Sequence, residues 1–276
     1  MPHLTLGWLT LMNVGQADVI SAAAKSGFKS VSIRITGRKP DDGFPMIVGN
    51  REAMREIRQR LGDNGMRMSN TSVYHLSPDI TLAQLLPTID ATVELGARIL
   101  VATCTDPDHD RWVSFMRPYC EAARKAGLVL AFEFVPFSQA KTIGVAYDLI
   151  QRIGAPNFGL LVDALHLSRS GGQPADIRKV DPARIVFAQL CDARAQHPSA
   201  DQLANEARTG RLYPGDGALP LYEFLDALPD GIEIECEMPR SDYADLSALE
   251  QARRAGDATR EYLQRYCKLR NRPAWI

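Results

Sequence analysis

The stretch LVLAFEFVPFSQAKTIGVAYDLIQRIGAPNFGLLVD, residues 128–163, indicates the fold class. It opens with a short apolar run, continues into a segment whose apolar residues recur with helical spacing, and closes on a second apolar run. Gly154 follows the helical segment, at the position where a helix commonly ends. A strand, a helix and a strand in this order form the unit in which a crossover helix joins two parallel strands.

The same alternation continues on both sides of this unit. The predicted strands are residues 4–12, 30–35, 66–73, 98–103, 128–135, 158–162, 185–191 and 232–238. The predicted helices are residues 16–26, 52–63, 82–95, 111–126, 141–153, 221–228 and 247–266, with a short polar crossover after the sixth strand and a long polar loop after the seventh. Each of the first five helices ends in a glycine before the next strand: Gly27, Gly65, Gly96, Gly127 and Gly154.

Eight such units in 276 residues predict an α/β fold, a single-domain (β/α)8 TIM barrel over residues 1–276 with a C-terminal tail at 268–276. A doubly wound open sheet is the main alternative. Such a sheet normally carries a glycine-rich phosphate loop after its first strand, whereas the turn here is MNVGQAD, residues 12–18. No linker-like or low-complexity segment divides the chain, so the sequence favours the barrel.

The composition argues against several kinds of partner. With 32 basic and 33 acidic side chains and a net charge of −1, the chain has no basic excess for nucleic acid or a membrane surface. No stretch approaches the roughly 18 apolar residues of a membrane span.

The five cysteines are scattered and form no CxxC pair, so neither a disulfide framework nor a zinc knuckle is indicated. Together with an N-terminus that lacks the basic region of a signal peptide, this predicts a cytoplasmic protein.

Polar residues lie at the ends of the last four predicted strands. Glu133 stands in an otherwise apolar fifth strand, and Asp163 follows the sixth. Gln189 and Glu237 lie in the seventh and eighth. Because side chains alternate along a strand, the apolar neighbours of Glu133 and Glu237 must face the helices, so both glutamates point into the barrel. In a TIM barrel this end of the strands carries the chemistry.

Several inward carboxylates repel each other and lose hydration, at a cost on the order of several kcal/mol for each unpaired ion. A bound divalent ion would compensate them. Carboxylate and amide oxygens suit Mn²⁺ or Mg²⁺, with Co²⁺ or Zn²⁺ as alternatives, and the predicted ligands are Glu133, Asp163, Gln189 and Glu237. Each residue also has a structural interpretation: a strand glutamate pairs with an internal Arg or Lys, Asp163 caps a helix, and Gln189 hydrogen-bonds in the core. Glu233, at the bottom of the same face, is predicted to form a structural ion pair.

Residues that follow or lie on the first three strands are candidates for binding the substrate. His75 follows an apolar strand and ends near the barrel mouth. Arg34 and Arg38 could hold a carboxylate or a phosphate, although a solvated loop charge explains Arg38 equally well. Trp8 either walls the pocket or fills the barrel.

Five motifs over about residues 130–240 resemble the xylose isomerase-like barrel superfamily, which also includes sugar phosphate isomerases and epimerases and the relatives of endonuclease IV (AP endonuclease family 2). The resemblance implies one divalent ion, Mn²⁺, Mg²⁺ or similar, on the four ligands given above. It implies that His166 contacts the substrate and that Arg211 binds the substrate or orders the loop that follows it. The motifs are AFEFVPF with Glu133, LVDALH with Asp163 and His166, FAQLCDA with Gln189, RLYPGDGALPLYEFL with Arg211, and IECEMPR with Glu237.

These residues and the resemblance predict a divalent-metal-dependent isomerase or epimerase that acts through an enediolate on a sugar-like α-hydroxy ketone, a sugar or sugar phosphate. Glu133 and Glu237 are predicted to move the proton. A Gln at position 189, where sugar epimerases carry His, is similar to bacterial 3-dehydroshikimate dehydratases of this fold. The alternative is therefore a metal-dependent lyase in which His166 is the acid or base.

A different class of function is a non-catalytic barrel that binds a sugar or a metal. In either class the expected partner is a small carbohydrate-like molecule, with neither nucleic acid nor membrane. The tail at residues 268–276 carries Trp275 and is compatible with a homo-oligomer.

Overall fold

A computed structural model describes residues 4–273, which contain a closed barrel of eight parallel strands. Parallel pairing of β1 with both β2 and β8 closes the sheet, and this confirms the predicted (β/α)8 barrel. The strands are β1 Leu4–Leu6, β2 Ser30–Arg34, β3 Arg67–Ser72, β4 Ile99–Thr103, β5 Val129–Glu133, β6 Phe158–Asp163, β7 Ile185–Leu190 and β8 Ile234–Cys236.

Ten α-helices accompany these strands within the described range 4–273. The five glycines predicted to end the first five helices all have φ between +59° and +81°, the left-handed region in which glycine is favoured. The helices are α1 Gln16–Lys25, α2 Arg51–Asp63, α3 Leu82–Glu94, α4 His109–Lys125, α5 Ile143–Ile153, α6 Ala164–Arg169, α7 Pro174–Ile177, α8 Leu203–Thr209, α9 Leu221–Ala227 and α10 Ala248–Leu269.

The first strand is much shorter than predicted. It ends at Leu6 instead of residue 12, because the chain turns at Gly7 into a 3₁₀ turn over Trp8–Thr10. The N–H of Gly7 donates to the carbonyl of Cys236 over 2.9 Å. A Cβ at Gly7 would lie 2.7 Å from that oxygen, so a larger residue would push the two strands apart.

The connections differ from the prediction in three places. The crossover after β6 contains the short helices α6 and α7, and the long polar loop after β7 contains α8. The last helix ends at Leu269, so the first two residues of the predicted tail continue it. Residues 274–276, with Trp275, lie outside the described part of the chain. Every helix within residues 4–273 is too short or too polar to cross a membrane.

The barrel interior has an apolar layer directly beneath a polar one. Val101, Ala131, Leu161 and Phe187 form a separate buried cluster inside the barrel, apart from the larger core between strands and helices. Two residues further along their strands, on the same face, come Thr103, Glu133, Asp163 and Gln189. The strand alternation argued from the sequence therefore places the polar side chains at the carboxyl end of the barrel.

At the opposite end Glu233 forms the predicted ion pair. Its carboxylate lies 3.0 Å from Arg67 Nη2 and accepts a hydrogen bond from Thr5 Oγ1 at 2.5 Å and another from the Ser69 hydroxyl. These partners come from β1 and β3, so Glu233 ties the bottom of the barrel together.

Candidate active site

A cavity of about 250 Å³ opens at the carboxyl ends of the strands. Its lining includes the predicted residues Trp8, Arg34, His75, Glu133, His166, Gln189, Arg211 and Glu237. Asp163 is fully buried just behind this surface. The structure thus brings all the predicted site residues to one end of the barrel.

Glu133, Asp163 and His166 form the densest group. One potential ligand atom from each lies within 4.8 Å of the other two. The Asp163 Oδ1 atom accepts the backbone N–H of His166 at 2.8 Å and so caps helix α6, while His166 Nε2 lies 3.5 Å from Glu133 Oε1. The structural interpretation of Asp163 as a cap is therefore correct, and its other oxygen, Oδ2, pairs with Arg211.

Arg211 neutralises part of the acidic charge. Its Nη1 atom lies 2.5 Å from Asp163 Oδ2, its Nη2 atom lies 3.1 Å from Glu237 Oε2, and its side chain is 2% exposed. Burial would raise the pKa of Asp163, but Arg211 and His166 lower it below its ordinary value, so Asp163 is ionised. Glu237 faces Arg211 and does not belong to the 4.8 Å group.

Glu235 holds the side-chain amide of Gln189 in one orientation. Gln189 Nε2 donates to Glu235 Oε1 over 2.9 Å, and Asn70 Nδ2 donates to the other oxygen of Glu235 over 2.7 Å. The Oε1 atom of Gln189 is buried and has no hydrogen-bond partner among the described residues. A buried amide oxygen without a donor is unfavourable unless a cation or a ligand group completes it.

Three glutamates in this layer have raised pKa values. Burial, then Glu237 and Asp163, raises the pKa of Glu133 well above its ordinary value. Burial, then Glu237, raises the pKa of Glu235 to about 8. Burial raises the pKa of Glu237 although Arg211 opposes the shift. The carboxylates exceed what Arg211 neutralises, and together with the open Gln189 oxygen they fit a bound divalent cation.

Asp192 organises the loop after β7. Its two carboxylate oxygens accept the backbone N–H groups of Ala193, Gly215, Gly217 and Leu219 over 2.8–3.1 Å. A Cβ at Gly217 would lie 2.3 Å from the carbonyl oxygen of Ala193, which requires glycine in this tight approach. The carboxylate of Asp192, not Arg211, therefore orders the PGDG turn directly.

Two residues of the site, Glu235 and Arg208, carry little signal in the sequence. Glu235 has the inward strand parity, but its role as the partner of Gln189 depends on the side-chain orientation. Arg208 lines the cavity from α8, a helix that the sequence pattern did not predict, and its guanidinium lies 5.7 Å from the centre of the Phe137 ring. Charge at position 208 offers no signal by itself, since the chain contains many surface arginines.

Comparison with known proteins agrees with this architecture. The sequence profile of the family described as Xylose isomerase-like TIM barrel matches residues 20–265. The IOLI protein, whose crystal structure contains a zinc atom, superposes with a TM-score of 0.79 at 18% identity, covering 96% of this chain and 99% of that chain.

Two curated relatives match parts of the chain. Inosose isomerase of Halalkalibacterium halodurans is 28% identical over 162 residues, 57% of this chain and 56% of that protein. 3-Dehydroshikimate dehydratase of Pseudomonas aeruginosa is 28% identical over 224 residues, 75% of this chain and 33% of that protein. The matched region thus spans about half the length of the isomerase and about a third of the dehydratase.

Proposed function

Because the chain belongs to the xylose isomerase-like TIM barrel family, we propose that it is a divalent-metal-dependent isomerase or epimerase of a sugar-like α-hydroxy ketone. The observation that carries this proposal is the group formed by Glu133, Asp163 and His166 beside the open amide oxygen of Gln189. The inosose isomerase relatives support a carbohydrate-like substrate.

Glu133, Asp163, Gln189 and Glu237 would hold the ion, with Mn²⁺ or Mg²⁺ suited to their oxygen atoms and Co²⁺ or Zn²⁺ as alternatives. When bound, a divalent ion supplies Lewis-acid stabilisation of the negative charge that develops on two adjacent substrate oxygens. Arg211 keeps Asp163 and Glu237 in place through its two ion pairs.

Glu133 and Glu237 would move the proton. Both line the cavity, Glu133 from the end of β5 and Glu237 from the residue that follows β8. Burial and the neighbouring carboxylates raise the pKa of Glu133, and a carboxylate with a raised pKa is a stronger base. Proton removal by one carboxylate and return from the other face gives an epimer. Return to the neighbouring carbon gives an isomer.

His166 favours a second candidate function. Burial lowers the pKa of His166 to about 4, so its ring is neutral, and its Nε2 atom faces Glu133 at 3.5 Å. As a base, the neutral imidazole can take the proton from the carbon beside the carbonyl and then return it to the departing β-hydroxyl, which leaves as water, so that the net reaction is a dehydration. The match to 3-dehydroshikimate dehydratase over 75% of this chain supports this lyase as the alternative.

The test combines metal analysis with solvent deuterium incorporation. Protein loaded in turn with Mn²⁺, Mg²⁺, Co²⁺ and Zn²⁺ is analysed for bound metal, then incubated in D₂O with an inosose, a ketohexose and 3-dehydroshikimate. We expect about one ion per chain and deuterium at the carbon beside the carbonyl of at least one substrate. A new ultraviolet absorbance from a conjugated product would select the lyase.

The matched variants are Glu237→Gln and Glu261→Gln, since Glu261 is exposed on α10. Glu237→Gln should abolish deuterium incorporation, and Glu261→Gln should behave as the unmodified protein. Metal content far below one ion per chain would refute the metal dependence. Normal deuterium incorporation by Glu237→Gln would refute the role of that residue.

A further inference from the structure

Three arginines and a histidine form one wall of the cavity. Arg34 ends β2, and Arg38 lies in the loop that follows. His75 follows β3 and Arg208 belongs to α8. All four side chains line the same cavity as Glu133 and Glu237. We refer to Arg34, Arg38 and Arg208 as the arginine wall.

The arginine wall has no acidic partner. Within residues 4–273, none of its guanidinium groups has a carboxylate oxygen within 4.0 Å, whereas the buried Arg169 and Arg211 both form ion pairs. Asp42 lies in the loop that also carries Arg38. Its carboxylate instead accepts the backbone N–H of Arg38 at 2.6 Å and that of Phe44 at 3.1 Å.

Arg34 is a buried member of the wall that has an unpartnered hydrogen-bond donor. It is 6% exposed, and its Nη1 atom donates to the carbonyls of Gly37 and Val73 over 3.0 and 2.8 Å. Its Nε atom is buried and has no partner among the described residues. A buried cation with an open donor is unfavourable unless an anion completes it.

The positive charges of the wall act on each other. Burial and, next to it, the charge of Arg38 lower the pKa of Arg34 to about 10. Burial lowers the pKa of His75 to about 3, with contributions from Arg34, Arg38 and Arg208, so His75 is neutral. Burial and Arg38 also lower the pKa of Arg208. Burial is the main cause of all three shifts, and in each of them a neighbouring arginine of the wall acts in the same direction.

Aromatic rings hold two of the guanidinium groups in position. Arg34 lies 5.5 Å from the centre of the Trp8 ring, and Arg208 lies 5.7 Å from that of Phe137. Such stacking restrains the planar guanidinium without using its N–H groups, so a donor that the protein does not bind, such as Nε of Arg34, stays available for a ligand. Trp8 and Phe137 thus pre-organise the wall.

We propose that the arginine wall binds an oxyanion group of the substrate, a carboxylate or a phosphate, while the hydroxy ketone lies against Glu133 and Glu237. This rests on the proposed function, which it narrows from sugar-like ketones in general to anionic ones. Arginine recognises both oxyanions through paired N–H donors. Neutral ketoses and neutral cyclic ketones leave these donors unmatched and are poor substrates.

The unpaired arginines of the wall have another explanation, in which their positive charge only offsets the negative charge of the carboxylates across the cavity, such as Glu237. Arg34 and Arg38 do lower the pKa of Glu237 through their charge. A purely electrostatic role would affect every substrate equally and act through the pH profile. A binding role discriminates between anionic and neutral substrates and acts through KM.

The experiment uses two matched pairs of substrates on the metal-loaded enzyme. The pairs are fructose with fructose 6-phosphate, and an inosose with 3-dehydroshikimate. Deuterium incorporation gives kcat/KM, and calorimetry with inactive Glu237→Gln protein gives the binding constant. We expect an anionic member to bind more tightly by about 10-fold to 100-fold, the range for one hydrogen bond between charged groups. The pair that shows the preference distinguishes phosphate from carboxylate.

Substitutions in the arginine wall test whether its side chains cause the preference for anionic substrates. Arg38→Gln and Arg208→Gln should each raise KM for the anionic substrate by about 10-fold or more, with a much smaller effect on its neutral counterpart. Arg98→Gln, an exposed arginine before β4, is the control and should match the unmodified protein. Thermal unfolding of each variant shows whether it is folded.

The outcomes separate this proposal from the proposed function. Equal binding of anionic and neutral members, or equal losses for both in the arginine variants, would overturn the oxyanion site and leave the isomerase intact. Tight binding of the anionic member without deuterium incorporation into any substrate would support the oxyanion site and count against the isomerase.

Discussion

A glutamate lies at each end of the barrel interior, but the two differ in how many hydrogen-bond donors reach them. At the bottom, Glu233 is satisfied by Arg67, Thr5 and Ser69. At the mouth, Glu133 accepts no hydrogen bond from a described residue, and its nearest basic atom is His166 Nε2 at 3.5 Å. The protein completes Glu233 with its own side chains and leaves Glu133 for a ligand.

This difference in hydrogen-bond donors distinguishes a structural glutamate from a functional one. A glutamate inside a barrel is compatible with either role, because both need an inward strand position. The number of donors that reach it distinguishes the two. Substitution of Glu233 at the bottom should therefore affect folding, whereas substitution of Glu133 at the mouth should affect chemistry.

The largest effect should come from Glu133→Gln. Losing a proton-transferring carboxylate should lower the rate of deuterium incorporation by about 10²–10⁴-fold, the usual contribution of a general acid or base. Glu233→Gln, the same change at the bottom, should keep this rate within a few-fold and lower the free energy of unfolding by about 1–2 kcal/mol. Similar rates for the two variants would remove the distinction between the ends.

Arg211→Met tests the ion pairs at the mouth. It would leave Asp163 buried without its cation, so the free energy of unfolding measured in urea should fall by about 3–5 kcal/mol. Arg67→Met at the bottom should cost less than about 1 kcal/mol, because Arg67 is 45% exposed. A smaller loss for Arg211 than for Arg67 would contradict a buried charge pair between Arg211 and Asp163.

Glu235→Gln tests how the amide of Gln189 is oriented. A glutamine at 235 offers one acceptor oxygen to two donors, Gln189 Nε2 and Asn70 Nδ2. The amide of Gln189 is then held less firmly, and affinity for Mn²⁺ should fall by about 10-fold to 100-fold, as for other groups that orient metal ligands. Calorimetric titration with Mn²⁺ measures this without any substrate. Unchanged affinity would show that Gln189 does not need Glu235 or does not bind the ion.

The smallest effect is on the pH dependence of stability. Because the pKa of Glu235 is raised to about 8 by burial and Glu237, the folded state holds a proton that the unfolded state has lost. The stability that comes from this bound proton is fully present below the pKa of Glu235 in the unfolded chain. It is lost as the pH rises through the pKa of about 8 that Glu235 has in the folded protein. His75 and His166, whose pKa values burial lowers to about 3 and about 4, act in the opposite direction, but only below pH 6.5.

Between pH 6.5 and 8 the glutamates therefore act alone among these groups. In chelator-treated protein the free energy of unfolding should fall across this window, by at most about 1.4 kcal/mol per pH unit for each titrating group. Saturating Mn²⁺ should flatten the slope, since a cation favours the ionised carboxylates. Urea unfolding at several pH values measures both. A rise with pH in the metal-free protein would contradict the raised pKa values.

Strand alternation was enough to predict which side chains enter the barrel. Because the apolar neighbours of Glu133 and Glu237 face the helices, these two glutamates point inward. The predicted glycines with positive φ end the first five helices. These features depend on local spacing alone, so a single sequence carries them.

Contacts between distant segments could not be predicted in this way. Arg211 reaches Asp163 across 48 positions of sequence, and Arg208 enters the cavity from a helix with a weak apolar pattern. The direction of the Gln189 amide depends on Glu235, a choice between two nearly isosteric atoms. Such details follow from tertiary packing, which a pattern along one chain does not encode.

Asp192 has a consequence for the internal dynamics of the protein. Its carboxylate collects four backbone N–H groups from a segment that belongs to no sheet. Loops of this kind usually exchange their amide hydrogens with solvent rapidly, because they open without disturbing the core. Here each opening must uncover a buried carboxylate, so these four amides should exchange on the slow timescale of the barrel strands, and the turn should move as part of the barrel.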